Sequence, residues 1–140
     1  MGLYLCVFAA DDTDDELDGV EVGSYDDFAE FRQAVADRLE GGQWGSRFPV
    51  LMNHRDSDGE WTSADAVHLR QELQAIRSEL AGIPAPPYPD GWQASVSRQI
   101  GHRPSHYGIY FIDADGEILL DRLMGLADLA IQTDRPITFM

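Results

Sequence analysis

Three stretches of the chain have residue types that invite comparison with ion sites. His54, Asp56 and Asp58, followed by Gly59 and with Asp65 in the twelfth place, follow the spacing of a calcium loop. Such a loop wraps a hard cation in oxygen ligands and closes it with a bidentate Glu. Here the first place holds His and the last the shorter Asp, inside a segment of helical periodicity. From the residues, a turn followed by a helix cap is the first reading and a cation site on Asp56, Asp58 and Asp65 its rival. His102 and His106 flank Arg103 and Pro104, but zinc needs a tetrahedral ligand set and the single cysteine, Cys6, is remote in sequence. Asp113-Ala-Asp-Gly-Glu117 repeats the acidic spacing after a predicted strand, where Asp-Gly serves a tight turn. No metal and no cofactor is assigned to any of these.

Catalytic chemistry has no specific carrier. Gly-x-Ser-x-Gly, a phosphate-binding P-loop and Gly-x-Gly-x-x-Gly are all absent. A general acid needs one carboxylate set apart in a less polar pocket, and among 25 acidic residues none is marked that way. Cys6 alternates with Tyr4 and Phe8 in an apolar run, and the nearby chain is acidic, which disfavours a thiolate. The expectation is a binding protein rather than an enzyme. The first alternative is a small-molecule or metal-sensing domain; a small hydrolase whose site is assembled only by the fold is the weaker one.

Charge points to binding more directly. The formal net charge is −15, and all 10 basic residues are Arg. Such a chain repels nucleic acid and anionic membranes and attracts basic partners. Residues 11–30 hold ten acids and no cation. Asp26 and Asp27 have a structural use at a helix start, which leaves Asp11, Asp12, Asp14, Asp15, Glu16 and Asp18 as the candidate partner-facing patch. Asp56, Asp58 and Glu60 form a second acidic group leading to Trp61. Trp44, Trp61 and Trp92 all lie at element ends rather than within apolar stripes, and Trp is a frequent interface anchor. Trp61 and Trp92 join the candidate contact residues; Trp61 also suits a hydrophobic staple, and Trp44 a helix-end cover.

The elements that position these residues follow from periodicity. At 140 residues the length suits one domain, residues 1–140. No apolar run approaches the roughly 20 residues of a membrane span. The opening residues lack the basic stretch of a signal peptide, and 3–9 read as a buried strand. An acidic loop over 11–16 and a short strand over 17–22 follow. Ser24 with Asp27, and Thr62 with Asp65, read as capping boxes. The first helix buries Phe28, Phe31, Val35 and Leu39 and stops at Gly41-Gly42; the second buries Ala66, Leu69, Leu73, Ile76 and Leu80. Residues 47–52 and 107–112 read as strands, 119–131 as a third main helix, and 137–140 as a last strand. Residues 84–104 hold five of the seven prolines and read as a long loop, with Asp90 capping a short helix that carries Trp92, Val96 and Ile100. The fold class expected is α+β: a mixed, mainly antiparallel sheet with about three main helices packed against it.

Several stretches together resemble a known family. They are DGVEVGSY at 18–25, GSRFPVLM at 45–52, DGEW at 58–61, FIDADGE at 111–117 and LDRL at 120–123. In this order they resemble the immunity protein 70 family of bacterial polymorphic toxin systems, over nearly the whole chain; 84–104 is the least similar part. The resemblance implies a cytoplasmic α+β protein, encoded beside a secreted toxin, that binds and neutralises that toxin. The lone cysteine, which allows no internal disulfide, fits that reducing compartment. Occlusion of a basic active-site cleft is the mechanism that the charge suggests.

Overall fold

The computed structural model describes residues 2–9 and 12–140, with the side chains of 12–14 excepted. Its sheet begins with an antiparallel pair, β1 (Gly2–Ala9) and β2 (Asp12–Ser24). Period-two alternation sends Leu3, Leu5 and Val7 inward, where all three are buried with Val20 and Val22. Tyr4, Cys6 and Phe8 take the opposite face. There the Tyr4 ring lies over Gly19, where any Cβ would collide with the phenol oxygen. The register slips between Leu3 and Tyr4 and twice between Val7 and Ala9, so β2 is longer than its partner and bulged. The expected acidic loop and short strand are thus one strand. The register carries the acidic run along the edge of the sheet instead of looping it away.

A capping box at Ser24 opens α1 (Tyr25–Leu39), and another at Thr62 opens α3 (Ser63–Leu80), both as expected. Between them lie α2 (Pro49–Asn53) and the two-residue strand β3 (Glu60–Trp61). Residues 47–52 are therefore a helical turn and not a strand. Pro49 occupies a first-turn position, where its missing N–H costs nothing. Both ends are held from outside the segment. Glu72 accepts the Val50 and Leu51 N–H groups at 3.1 and 2.9 Å. Arg32, 6% exposed, donates from Nη1 to the carbonyls of Leu51, Met52 and His54. Upstream, the buried Glu40 carboxylate takes the N–H groups of Gly45, Arg47 and Phe48.

The segment after α3 carries α4 (Trp92–Ile100), which starts at Gly91 rather than at a capping Asp90 and ends on left-handed Gly101. Residues 107–112 are likewise not a strand. Tyr107–Ile109 is a single 3-10 turn whose His106 ring nitrogen accepts the Gly108 N–H at 3.1 Å. Tyr107, Tyr110 and Phe111 are spaced for a helical turn, and there they pack together, with Tyr107 on Phe111 at 5.8 Å and Tyr110 on Phe111 at 5.1 Å. The Asp113 turn then closes on Gly116 at φ +85°, with Asp113 Oδ1 accepting from Asp115 and Glu117 N–H.

After it come α5 (Leu119–Thr133) and β4 (Ile137–Phe139). The sheet order is β2-β1-β4-β3, and every described pairing is antiparallel. The fold is α+β, with a fourth substantial helix, α4, beside the three expected. Helices α1 and α5 lie against β1 and β2, and α3 packs chiefly on α5. One apolar core runs through all of these, from Leu3 to Phe139.

Candidate functional site

The acidic edge strand is the first of three surfaces that the sequence singles out. Asp11 lies outside the described residues, as do the side chains of Asp12 and Asp14. Asp15 and Glu16 are exposed on β2, and Leu17, at a slip in register, is 44% exposed beside them. Glu16 accepts a hydrogen bond from the Tyr4 hydroxyl, which together with burial holds that phenol above its ordinary range. Asp18 differs from its neighbours. Its carboxylate faces Arg122 of α5 at 3.2 and 3.3 Å, and Arg122 also donates to the Gly19 carbonyl at 2.7 Å. Its charge is therefore matched within the fold, and the free part of the patch is shorter than the sequence suggests. The far end of β2 is also occupied, because the Ala114 N–H donates to the Glu21 carbonyl at 2.8 Å. Among the described residues, what remains open is the stretch from Asp15 to Leu17.

The distribution of cations sharpens this patch. Arg47, Arg55, Arg70, Arg77 and Arg122 each pair with a carboxylate, Arg70 and Arg77 joining α3 to α5. The β1–β2 hairpin contains no cation of its own. Arg135, which donates to the Phe8 carbonyl at 3.2 Å, reaches it from beyond α5.

The second surface is the turn from His54 to Trp61. Asp58 and Glu60 are exposed and Asp56 is half-buried; Asp58 pairs loosely with Arg55 at 3.3 Å. Trp61 cannot serve as a surface anchor, because it is 2% exposed. Its ring meets Phe139 edge-on at 4.7 Å and its N–H donates to the Val50 carbonyl at 3.0 Å. His54 stacks on Phe139 at 4.1 Å, and its two ring nitrogens face the carbonyls of Arg55 and Glu60. Asp65 is engaged by the Thr62 N–H at 3.0 Å. Among the described residues, no three His, Cys, Asp or Glu side chains converge on a point suited to a metal ion. His102 and His106 are used locally, on the Ile109 carbonyl and the Gly108 N–H. Trp44 stays 41% exposed while its N–H holds the Met52 carbonyl at 2.6 Å, covering the end of α2.

The third surface surrounds Trp92, which is half-buried. Its indole N–H donates to Asp27 Oδ2 at 3.1 Å, and the Gln93 amide donates to Oδ1 at 2.9 Å. Burial alone would raise the Asp27 carboxyl, but the bonds from Ser24, Trp92 and Gln93 outweigh it and hold the group below its ordinary range. The N-terminal cap of α1 thus doubles as the anchor of α4. Beside it opens a small cleft, walled by Asp27, Glu30, Tyr88, Gln93 and Tyr110. Tyr88 stacks on Tyr110 at 4.5 Å and donates its hydroxyl to the Tyr110 carbonyl. Burial pushes the Tyr88 phenol up to about 12, so both oxygens stay neutral at physiological pH.

Reasoning from sequence missed this cleft and the exposure of Leu17. Tyr88 lies in a Pro-rich stretch with no periodicity, and Leu17 alternates like a core residue. On the buried side of catalysis, Cys6 is 0% exposed, and burial with nearby Glu16 pushes its thiol up to about 11, far from a nucleophile.

No helix among the described residues is long and apolar enough to cross a membrane. No curated protein and no solved structure matches the chain. One family model does, that of immunity protein 70, and it matches residues 3–139. The chain belongs to the immunity protein 70 family.

Proposed function

We propose that the protein is the cytoplasmic antidote of a bacterial polymorphic toxin system and acts by binding its cognate toxin, with no chemistry of its own. The family match over residues 3–139 carries this reading. The net charge of −15 supports a basic toxin surface as the target. Domains that act on anionic substrates have basic clefts, and an acidic partner is steered into such a cleft and competes for it.

The contact surface proposed is the open stretch of β2. Asp15 and Glu16 supply exposed charge there, Glu16 being held also by the Tyr4 hydroxyl, Leu17 supplies an apolar contact between them and Asp18, and Asp11, Asp12 and Asp14 extend the run in sequence. Asp56, Asp58 and Glu60 form a second acidic group for the rim of the contact. Exposed acids at a sheet edge also guard it against strand pairing with other copies, so the patch serves solubility as well as recognition. Co-expression with the toxin domain encoded beside the gene tests the function. The expected result is restored growth together with a co-purifying complex. Growth restored by a chain that never associates with the toxin would favour an enzymatic antidote instead.

A further inference from the structure

The cleft beside Asp27 has a composition of its own. Its floor is apolar, with Val22, Phe111, Ile112 and Leu119, while one wall carries two carboxylates and the other two stacked phenols. No cation lines it. All four of the hydrogen bonds to the Asp27 carboxylate come from Ser24, Trp92 and Gln93, three on Oδ2 and one on Oδ1, so its donors hold it in place within the fold. Glu30 is different. It is exposed on α1, one turn after Asp27, and among the described residues no hydrogen bond or ion pair engages it.

We propose that this cleft receives a cationic side chain, arginine or lysine, presented by the toxin; the proposal rests on the binding function argued above and names the pocket that takes an anchor. Glu30 is the ion-pairing acceptor. The stacked Tyr88 and Tyr110 side chains give the charged group an aromatic wall, and the apolar floor takes the methylene stem. Asp27 adds a second negative charge held at fixed distance by its donors. An anionic guest is repelled by both carboxylates, and a neutral apolar one leaves Glu30 without a partner.

Two measurements on the full chain test the assignment. In the first, N-acetyl-arginine amide, N-acetyl-lysine amide and the neutral N-acetyl-citrulline amide are titrated while the Trp92 indole and Gln93 amide NMR signals are followed. The cationic amides should give saturable shifts with a Kd on the order of 10 mM, weakened about fivefold by Glu30→Gln, and citrulline should give none. Equal responses to citrulline and arginine, or no saturation with either cation, would overturn the proposal. In the second, Glu30→Gln and Tyr88→Leu are each measured against the toxin. Both should weaken the complex, by about fivefold to tenfold. Unchanged affinity in both overturns the cleft as the anchor site while leaving toxin binding, and so the proposed function, intact. A chain that binds no toxin in any form removes the function itself.

Discussion

Trp92 donates its indole N–H to Asp27 Oδ2 at 3.1 Å, joining residues that are 65 apart in the chain. The same oxygen takes the Ser24 backbone N–H at 2.7 Å, so one carboxylate both starts α1 and fastens α4. Trp92→Phe keeps an aromatic ring but removes the donor together with part of the indole. A hydrogen bond to a charged acceptor contributes about 1.5–3 kcal/mol, and this one is partly open to solvent, so the expected loss is near the lower end. Urea unfolding should show a lower midpoint with an unchanged slope; an unchanged midpoint would mean that the segment is held by packing alone.

Acid should loosen the same joint. Burial raises the Asp27 carboxyl, yet the bonds from Ser24, Trp92 and Gln93 leave it depressed in the folded state. A depressed carboxyl contributes stability that is present above its unfolded value of about 3.9 and is lost as pH falls through the folded value. The stability difference between the native chain and Asp27→Asn should therefore be constant above pH ~5 and shrink below pH ~4. Unfolding measured across that range checks it, and a difference independent of pH would contradict the assignment.

Glu40 organises the 43–48 loop from a buried position, accepting three backbone N–H groups at 3.0–3.1 Å. Glu40→Ala leaves those donors without a partner, and the expected destabilisation is about 3 kcal/mol. Glu40→Gln retains one acceptor oxygen and should fall between the two. Denaturant midpoints in the order native, Gln, Ala are expected; a loss under about 0.5 kcal/mol for Ala would show that water replaces the carboxylate.

What the chain discloses by itself is mostly local. Ser24 with Asp27 and Thr62 with Asp65 satisfy their own helix ends within three residues, so the capping boxes are readable without a fold. The inward set of β1 and the apolar stripes of α1, α3 and α5 are readable for the same reason. Residues 47–52 are not, because their helical turn depends on Glu72 and Arg32, both remote in sequence. Their apolar content suits either conformation, and only the tertiary partners decide. Asp18 teaches the same lesson for function. In sequence it is one more acid in the run, whereas Arg122, 104 residues away, takes its charge out of the patch. Trp61 has the setting of a contact residue in sequence and the core takes it. Trp92 holds Asp27, a residue lining a cleft that no spacing announces.

The acidic β2 edge is tested most directly by binding of the purified toxin to the native chain and to the double variant Asp15→Arg, Glu16→Arg, measured at low and at physiological salt. The native chain should form a tight complex whose association slows steeply with added salt. The double variant should associate at least about tenfold more slowly, with a weaker dependence on salt. A variant that associates as fast as the native chain, with the same salt dependence, would contradict the assignment of the toxin surface to this strand.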